Sequence, residues 1–218
     1  MITLRHILSA AHCAETDRGR VTWVRLGDFA YKISEDSAHV DKRIVEIIIH
    51  PKYSSSKSHH DIALFKIDRK IESPYVFPVC LQTEKQITEK RANMTGWGRT
   101  GTDNDLRVQI LETDMEIYND TECKRLRFSG DNPKTPLGHQ PDFMFCAGIP
   151  DGSNRTVACS GHSGSPLVIK KPDDCVQILV GVVSYGAACS IPNAPGEYTR
   201  VSNYISWIEE TLLQKDMK

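Results

Sequence analysis

Short runs rich in apolar and β-branched residues, separated by polar turn-forming segments, recur along this chain. Residues 43–49 (RIVEIII), 62–67 (IALFKI), 109–117 (QILETDMEI), 166–169 (PLVI) and 176–184 (VQILVGVVS) are rich in β-branched and apolar residues and have strand length. Between them lie 51–56 (PKYSSS), 101–105 (GTDND) and 129–133 (SGDNP), whose Gly, Pro, Asn, Asp and Ser content marks loops. Helical spacing shows over 203–213, where Tyr204, Ile205, Trp207, Ile208 and Leu212 recur with Glu209 and Glu210 on the other side. Short strands at even spacing predict a barrel or sandwich rather than βαβ units, with one helix docked at the C-terminal end. No internal repeat or low-complexity linker breaks the pattern.

A length of 218 residues suits one domain, or two small barrels sharing a cleft, and is enough to bury a sizeable core. A net charge of −1, without a basic stripe or tail, argues against a nucleic-acid partner. Hydrophobic residues make up 39% of the chain, yet no apolar run approaches the ~20 residues of a membrane span. Seven cysteines point to an oxidising, secretory compartment. Glycosylation triplets at Asn93, Asn119 and Asn154 agree with that, although such triplets also arise by chance. Asn154, in a Gly/Asn/Asp-rich loop, is the one expected to be accessible. Residues 1–8 contain neither the apolar core nor the cleavage site of a secretory leader.

Three local signatures carry chemistry. A serine hydroxyl becomes a nucleophile when an imidazole takes its proton and a carboxylate holds that imidazole in the right tautomer. Residues 8–13 (LSAAHC), 61–64 (DIAL) and 159–166 (CSGHSGSP) supply the three groups in the order His, Asp, Ser. In sequence and order these resemble the histidine, aspartate and nucleophile boxes of the chymotrypsin/trypsin-like serine proteases, not those of subtilisin or the α/β-hydrolases. Residues 95–98 (TGWG), 145–148 (FCAG), 182–186 (VVSYG) and 195–201 (PGEYTRV) extend the likeness from Ile2 to the terminal helix. The resemblance implies an all-β fold of two antiparallel β-barrels with a C-terminal helix, in one protease domain spanning 1–218. Eleven residues precede His12, so the first barrel is expected to be incomplete, lacking its activation site and about two strands.

The same resemblance assigns His12 as general base, Asp61 as orienting carboxylate and Ser163 as nucleophile. The backbone N–H groups of Gly161 and Ser163 would form the oxyanion hole, and Ser184 would support Asp61. Isolated histidines are usually core or surface residues, and His59 and His60 are read that way. Val157 falls where trypsin-like members carry an aspartate, and Tyr185, Gly186 and Gly196 fall on the pocket walls. An apolar pocket is therefore expected, although Asp151, in a somewhat long loop, could reach in from the side. Cys123–Cys146 and Cys159–Cys189 are the implied disulfides, which leaves Cys13, Cys80 and Cys175. Cys80 sits where pro-region-bearing, clip-type members tether their N-terminal segment. No cofactor is expected. Asp28, Glu35 and Asp36 lie where some relatives bind calcium, but they read better as solvated loop charges.

Two positions depart from the pattern. His162 precedes the nucleophile where the family has aspartate, and Ser165 stands where it has glycine. In the family that aspartate pairs with the ammonium freed by zymogen cleavage, and histidine cannot accept an ammonium as a carboxylate does. Losing one half of a buried ion pair costs ~3–5 kcal/mol, whereas losing both is less disruptive. Arg43-Ile44-Val45 matches an activation sequence only superficially, since cleavage there would separate His12 from Asp61. Two functions from different classes follow. One is a secreted serine endopeptidase acting on protein or peptide substrates, open to protease inhibitors. The other is a non-catalytic homologue that binds partners in an extracellular proteolytic cascade. A fragment unable to fold alone is the third reading.

Overall fold

The structure is a computed structural model, and it describes residues 1–30, 39–56, 58–98, 109–128, 140–150, 161–171, 176–186 and 195–216. In chain order the described strands are β1 (His6–Ser9), β2 (Glu15–Thr16), β3 (Gly19–Arg20), β4 (Trp23–Leu26), β5 (Val40–Ile49), β6 (Ala63–Ile67), β7 (Cys80–Leu81), β8 (Arg91–Gly96) and β9 (Leu111–Tyr118). The helix α1 (Asp120–Phe128) follows, then β10 (Met144–Gly148), β11 (Pro166–Lys170), β12 (Gln177–Gly186), β13 (Gly196–Arg200) and α2 (Ile205–Asp216). The five strands expected from the β-rich runs all form, with ends shifted by a few residues. The terminal helix forms too, entered through a 3₁₀ turn at Val201–Tyr204.

Two sheets divide the chain. In the N-terminal half the order β1-β6-β5-β4 makes an antiparallel four-stranded sheet. In the C-terminal half β11-β8-β9-β10-β13-β12 runs round and closes on itself through the β11–β12 pairing. Closure removes both free edges of that six-stranded barrel. β7 adds to β12 in parallel through Ile178 and Leu179. The fold is all-β with two barrel-like units and a short C-terminal helix, as the resemblance implied.

The buried apolar residues gather in three clusters. Met94, Met115, Phe145, Leu167, Val180, Val183 and Tyr198 fill the closed barrel. Ala11, Ala14, Ala63 and Phe65 form a smaller cluster in the N-terminal half. The cluster between the halves matters most for the site. Leu8, Ala10, Ile62 and Leu64 come from the first unit, Val168, Leu179 and Val182 from the second, and Tyr204 and Ile208 from the terminal helix region. Its members flank His12, Asp61 and Ser184 in sequence, so burying this seam brings those three residues together.

The pattern of apolar runs does not show α1. Its cap is local: Asn119 Oδ1 accepts from the Glu122 N–H at 2.9 Å, and Cys123 is disulfide-bonded to Cys146 on β10. Asn119 is thus a helix N-cap as well as a glycosylation triplet residue, and Asn93 donates its side-chain amide to Asp114. Asn154 lies outside the described residues.

Candidate active site

Asp61 is 3% exposed at its side chain, and a carboxylate that deep must be met by donors. Three meet it. The backbone N–H of His12 donates to Oδ1 at 2.9 Å, His12 Nδ1 lies 2.7 Å from Oδ2, and the Ser184 hydroxyl donates to Oδ2 at 2.6 Å. The Asp61 carbonyl in turn accepts from the Thr199 hydroxyl at 2.9 Å. The carboxylate is fixed from both halves of the chain, through a 3₁₀ turn at Ala11–Ala14 on one side and β12 and β13 on the other.

His12 is 35% exposed, so one edge of the imidazole faces Asp61 and the remainder reaches the cleft. Its pKa is raised above the ordinary histidine value by the hydrogen bond to Asp61, with the Cys13 side chain adding to it. A bond at Nδ1 fixes the tautomer that leaves Nε2 for proton transfer. His60, though next to Asp61 in sequence, turns elsewhere. Its backbone is left-handed (φ 52°), its Nδ1 lies 3.1 Å from Tyr204 Oη, and its ring stacks on Phe143. His59 meets Phe143 edge-on. Both have the packing role expected of them.

Ser163 lies exposed on the loop that leads into β11, and its neighbours show where that loop sits. Gly164 has φ 75°, a left-handed backbone that favours glycine. A Cβ there would collide with Ser9 Oγ and stand 3.1 Å from Cys13 Sγ. The Ser9 hydroxyl donates to the Gly164 carbonyl at 3.3 Å, and the Gly164 N–H donates to Val183 O at 2.9 Å. The candidate nucleophile loop is thus seated against the turn that carries His12 and against the strand that carries Ser184. Among the described residues no hydrogen bond joins Ser163 to His12. Such bonds are commonly long in substrate-free enzymes.

Gly161 also has a positive φ, 97°, so the candidate oxyanion loop uses a conformation that a side chain would strain. Gly186 and Gly196 face each other across the β12–β13 pairing, and Tyr185 opposes Glu197 one step along. Val157, Asp151, Cys159, Cys175 and Cys189 lie outside the described residues, and so does the expected Cys159–Cys189 bridge. Cys123 and Cys146 are bonded, while Cys13 and Cys80 are free thiols.

Ser165 sits in ordinary backbone: among the described residues only Ser58 and His60 are non-glycine with positive φ. The serine at 165 therefore imposes no left-handed backbone strain. His162 is 4% exposed and lies over the Gly96-Trp97-Gly98 segment. Near the calcium candidate, Asp28 is paired with Arg25 at 3.4 Å, and Glu35 and Asp36 lie outside the described residues. Among the described residues no three His, Cys, Asp or Glu side chains are arranged to hold a metal ion, and no helix is long and apolar enough to cross a membrane.

Two contributors were not singled out from the sequence. Thr199 lies inside the 195–201 match, and the period of two sets it opposite Tyr198, which faces the barrel core. β13 is buried on both faces, so alternation alone does not mark it. Ser9 carried no signal beyond its place in the histidine box.

A closed six-stranded barrel, a second sheet, and a buried carboxylate holding an imidazole are the architecture of the chymotrypsin-type fold. Comparison with known sequences agrees, since residues 1–208 match the family description "Trypsin". The chain belongs to the trypsin family. It is 36% identical to Serine protease snk of Drosophila melanogaster over 213 residues, covering 96% of this chain and 47% of that protein. It is 35% identical to a venom protease of Bombus pensylvanicus, covering 92% of this chain and 79% of the relative. Trypsin II-P29 of Gallus gallus is 34% identical, with 97% of this chain and 77% of the relative covered. The chain spans about half the length of snk and 56% of the Bombus ignitus protease Bi-VSP.

Proposed function

We propose that this protein is a serine endopeptidase that cleaves peptide bonds through an acyl-enzyme on Ser163. The observation that carries this is the Asp61–His12 pair at 2.7 Å, braced by Ser184, with the loop of Ser163 packed on the His12 turn. Ser163 Oγ attacks the scissile carbonyl while His12 Nε2 takes its proton. The oxyanion forms beside the backbone N–H groups of Gly161 and Ser163. Collapse breaks the C–N bond, and the proton on His12 goes to the leaving amine. Water then attacks the ester, giving its proton to His12, and Ser163 recovers a proton as the acid departs. Asp61 stays ionised and stabilises the imidazolium that forms in each step.

An apolar residue before the scissile bond fits Val157 and the facing glycines Gly186 and Gly196. Secretion fits the Cys123–Cys146 disulfide, which an oxidising compartment preserves. Protein substrates, protease inhibitors and cascade partners are the interactions such an enzyme would have. The relatives include a clotting factor G β subunit of Tachypleus tridentatus, 32% identical.

The test is fluorophosphonate labelling followed by peptide mapping. Label on Ser163, its loss in Ser163→Ala, and cleavage of peptides with an apolar residue before the bond support the endopeptidase. A folded protein that takes no label beside a labelled control protease defeats it. One observation favours a second reading, the non-catalytic homologue: His162 stands beside the nucleophile where the family has aspartate. A silent protein switched on by His162→Asp would support that reading.

A further inference from the structure

The space around His162 is defined by two missing side chains. A Cβ built on Gly98 would fall inside the imidazole, against Cδ2, Cγ and Nε2. A Cβ on Gly96 would stand 2.9 Å from His162 Nδ1 and 2.7 Å from Ser165 Oγ. Real Cβ atoms do not occupy either place, so the ring lies on bare backbone at the end of β8 and is only 4% exposed there. Any side chain on the near side of Gly96 or Gly98 would expel it.

The ring is joined to the candidate chemistry by a short stretch of chain. Ser163 follows it directly, and Gly161, with φ 97°, precedes it. The carbonyl of His162 accepts from the Ser165 N–H at 3.0 Å, which closes a tight turn around Ser163. That turn is then pinned on its far side, where the Gly164 N–H reaches Val183 O and the Val183 N–H reaches Ser165 O, both at 2.9 Å. The ring fixes one end of the turn and the β12 backbone fixes the other.

We propose that His162 is a positioning residue that clamps the nucleophile loop by shape, its imidazole seated in the cradle left by Gly96 and Gly98. In the family pattern an ion pair at this position orders the loop. Here packing against glycine backbone does so, and the register of Gly161 and Ser163 follows from where the ring sits. Gly96 and Gly98, within the family-like stretch 95–98, leave the room that the ring fills. The proposal rests on Ser163 being the nucleophile only for its effect on rate, not for the clamp itself.

The experiment pairs a hole with a filling. His162→Ala empties the cradle, Gly98→Ala expels the ring, and in the double variant the methyl added at position 98 enters vacated space. Each full-chain variant is measured for fluorophosphonate labelling rate, for hydrogen exchange of the peptide spanning 161–169, and for folding by near-ultraviolet circular dichroism. Each single variant is expected to label roughly 10- to 100-fold more slowly and to exchange the Gly164 and Ser165 amides faster. The double variant is expected to recover at least tenfold over the product of the two losses. If His162→Ala does not fold, His162→Gln, which keeps a planar side chain, takes its place and should retain most of the protection. Wild-type labelling and protection in His162→Ala, or losses that simply multiply in the double variant, overturn the clamp. If the unaltered chain takes no label, the nucleophile reading fails while the exchange of 161–169 still decides the clamp.

Discussion

At the level of single residues, the site is a buried negative charge and the donors gathered round it. A hydrogen bond to a charged acceptor is worth about 1.5–3 kcal/mol, so Ser184→Ala should remove that much from the hold on Asp61. The expected result is a kcat lowered roughly 10- to 100-fold with KM little changed, since Ser184 touches the carboxylate and not the substrate. His12 sets the pH dependence. Its pKa is raised by the Asp61 hydrogen bond, and only the neutral imidazole can take a proton from Ser163. The rate of acylation should therefore climb with pH through a midpoint above the ordinary histidine value of about 6.5. Asp61→Asn should remove that raised midpoint and lower kcat by about 10⁴-fold, the size of loss seen when a triad carboxylate is replaced by an amide. A pH–rate profile with a midpoint at or below about 6 would contradict the assigned base.

Elements show how much of this molecule was legible in its sequence. β5 and β9 could be read from a partial period of two, and β6, β11 and β12 from continuous apolar runs, because those three are buried on both faces. The candidate triad positions stood out in the sequence for a different reason: each sits in a local box with small neighbours, such as Gly164, which packs against Ser9 and Cys13. α1 was hidden, since Asp120–Phe128 mixes charged and apolar residues without a clear stripe and depends on the Asn119 cap and a disulfide. Thr199 was hidden because its role exists only once β13 lies across from Asp61. The seating of His162 was hidden for the same reason, since Gly96 and Gly98 are far from it in sequence. The disulfide also gives a test at this scale. Cys123 and Cys146 are 23 residues apart, and closing a loop of that size stabilises by about 3 kcal/mol in the chain-entropy account. Cys123→Ser should lower the urea midpoint accordingly and loosen α1 first, seen as earlier exchange over Asp120–Phe128.

For the whole molecule, acid is the condition that separates the two halves of the electrostatics. His50 and His60 sit at the seam between the sheets, with rings 5.1 Å apart and stacked. Tyr204 and Trp207 pack edge-on against His50. Desolvation pulls His50 down to about 4, helped by His60 and Lys52, and desolvation with Lys52 and His59 lowers His60 as well. In the unfolded chain both would protonate near about 6.5. As pH falls below 6.5 the unfolded state takes up protons that the folded state refuses, so stability is lost progressively from there toward about 4. His12 works the other way. Its raised pKa means its contribution is fully present below 6.5 and is lost only as pH rises through the folded value. Acid weakening in this range therefore belongs to the histidine pair and not to the triad. Urea midpoints measured from pH 7 to pH 4 should fall steadily, and His50→Phe, which keeps the aromatic packing without a titrating group, should flatten that fall. A midpoint that drops equally in His50→Phe would assign the acid sensitivity to other groups.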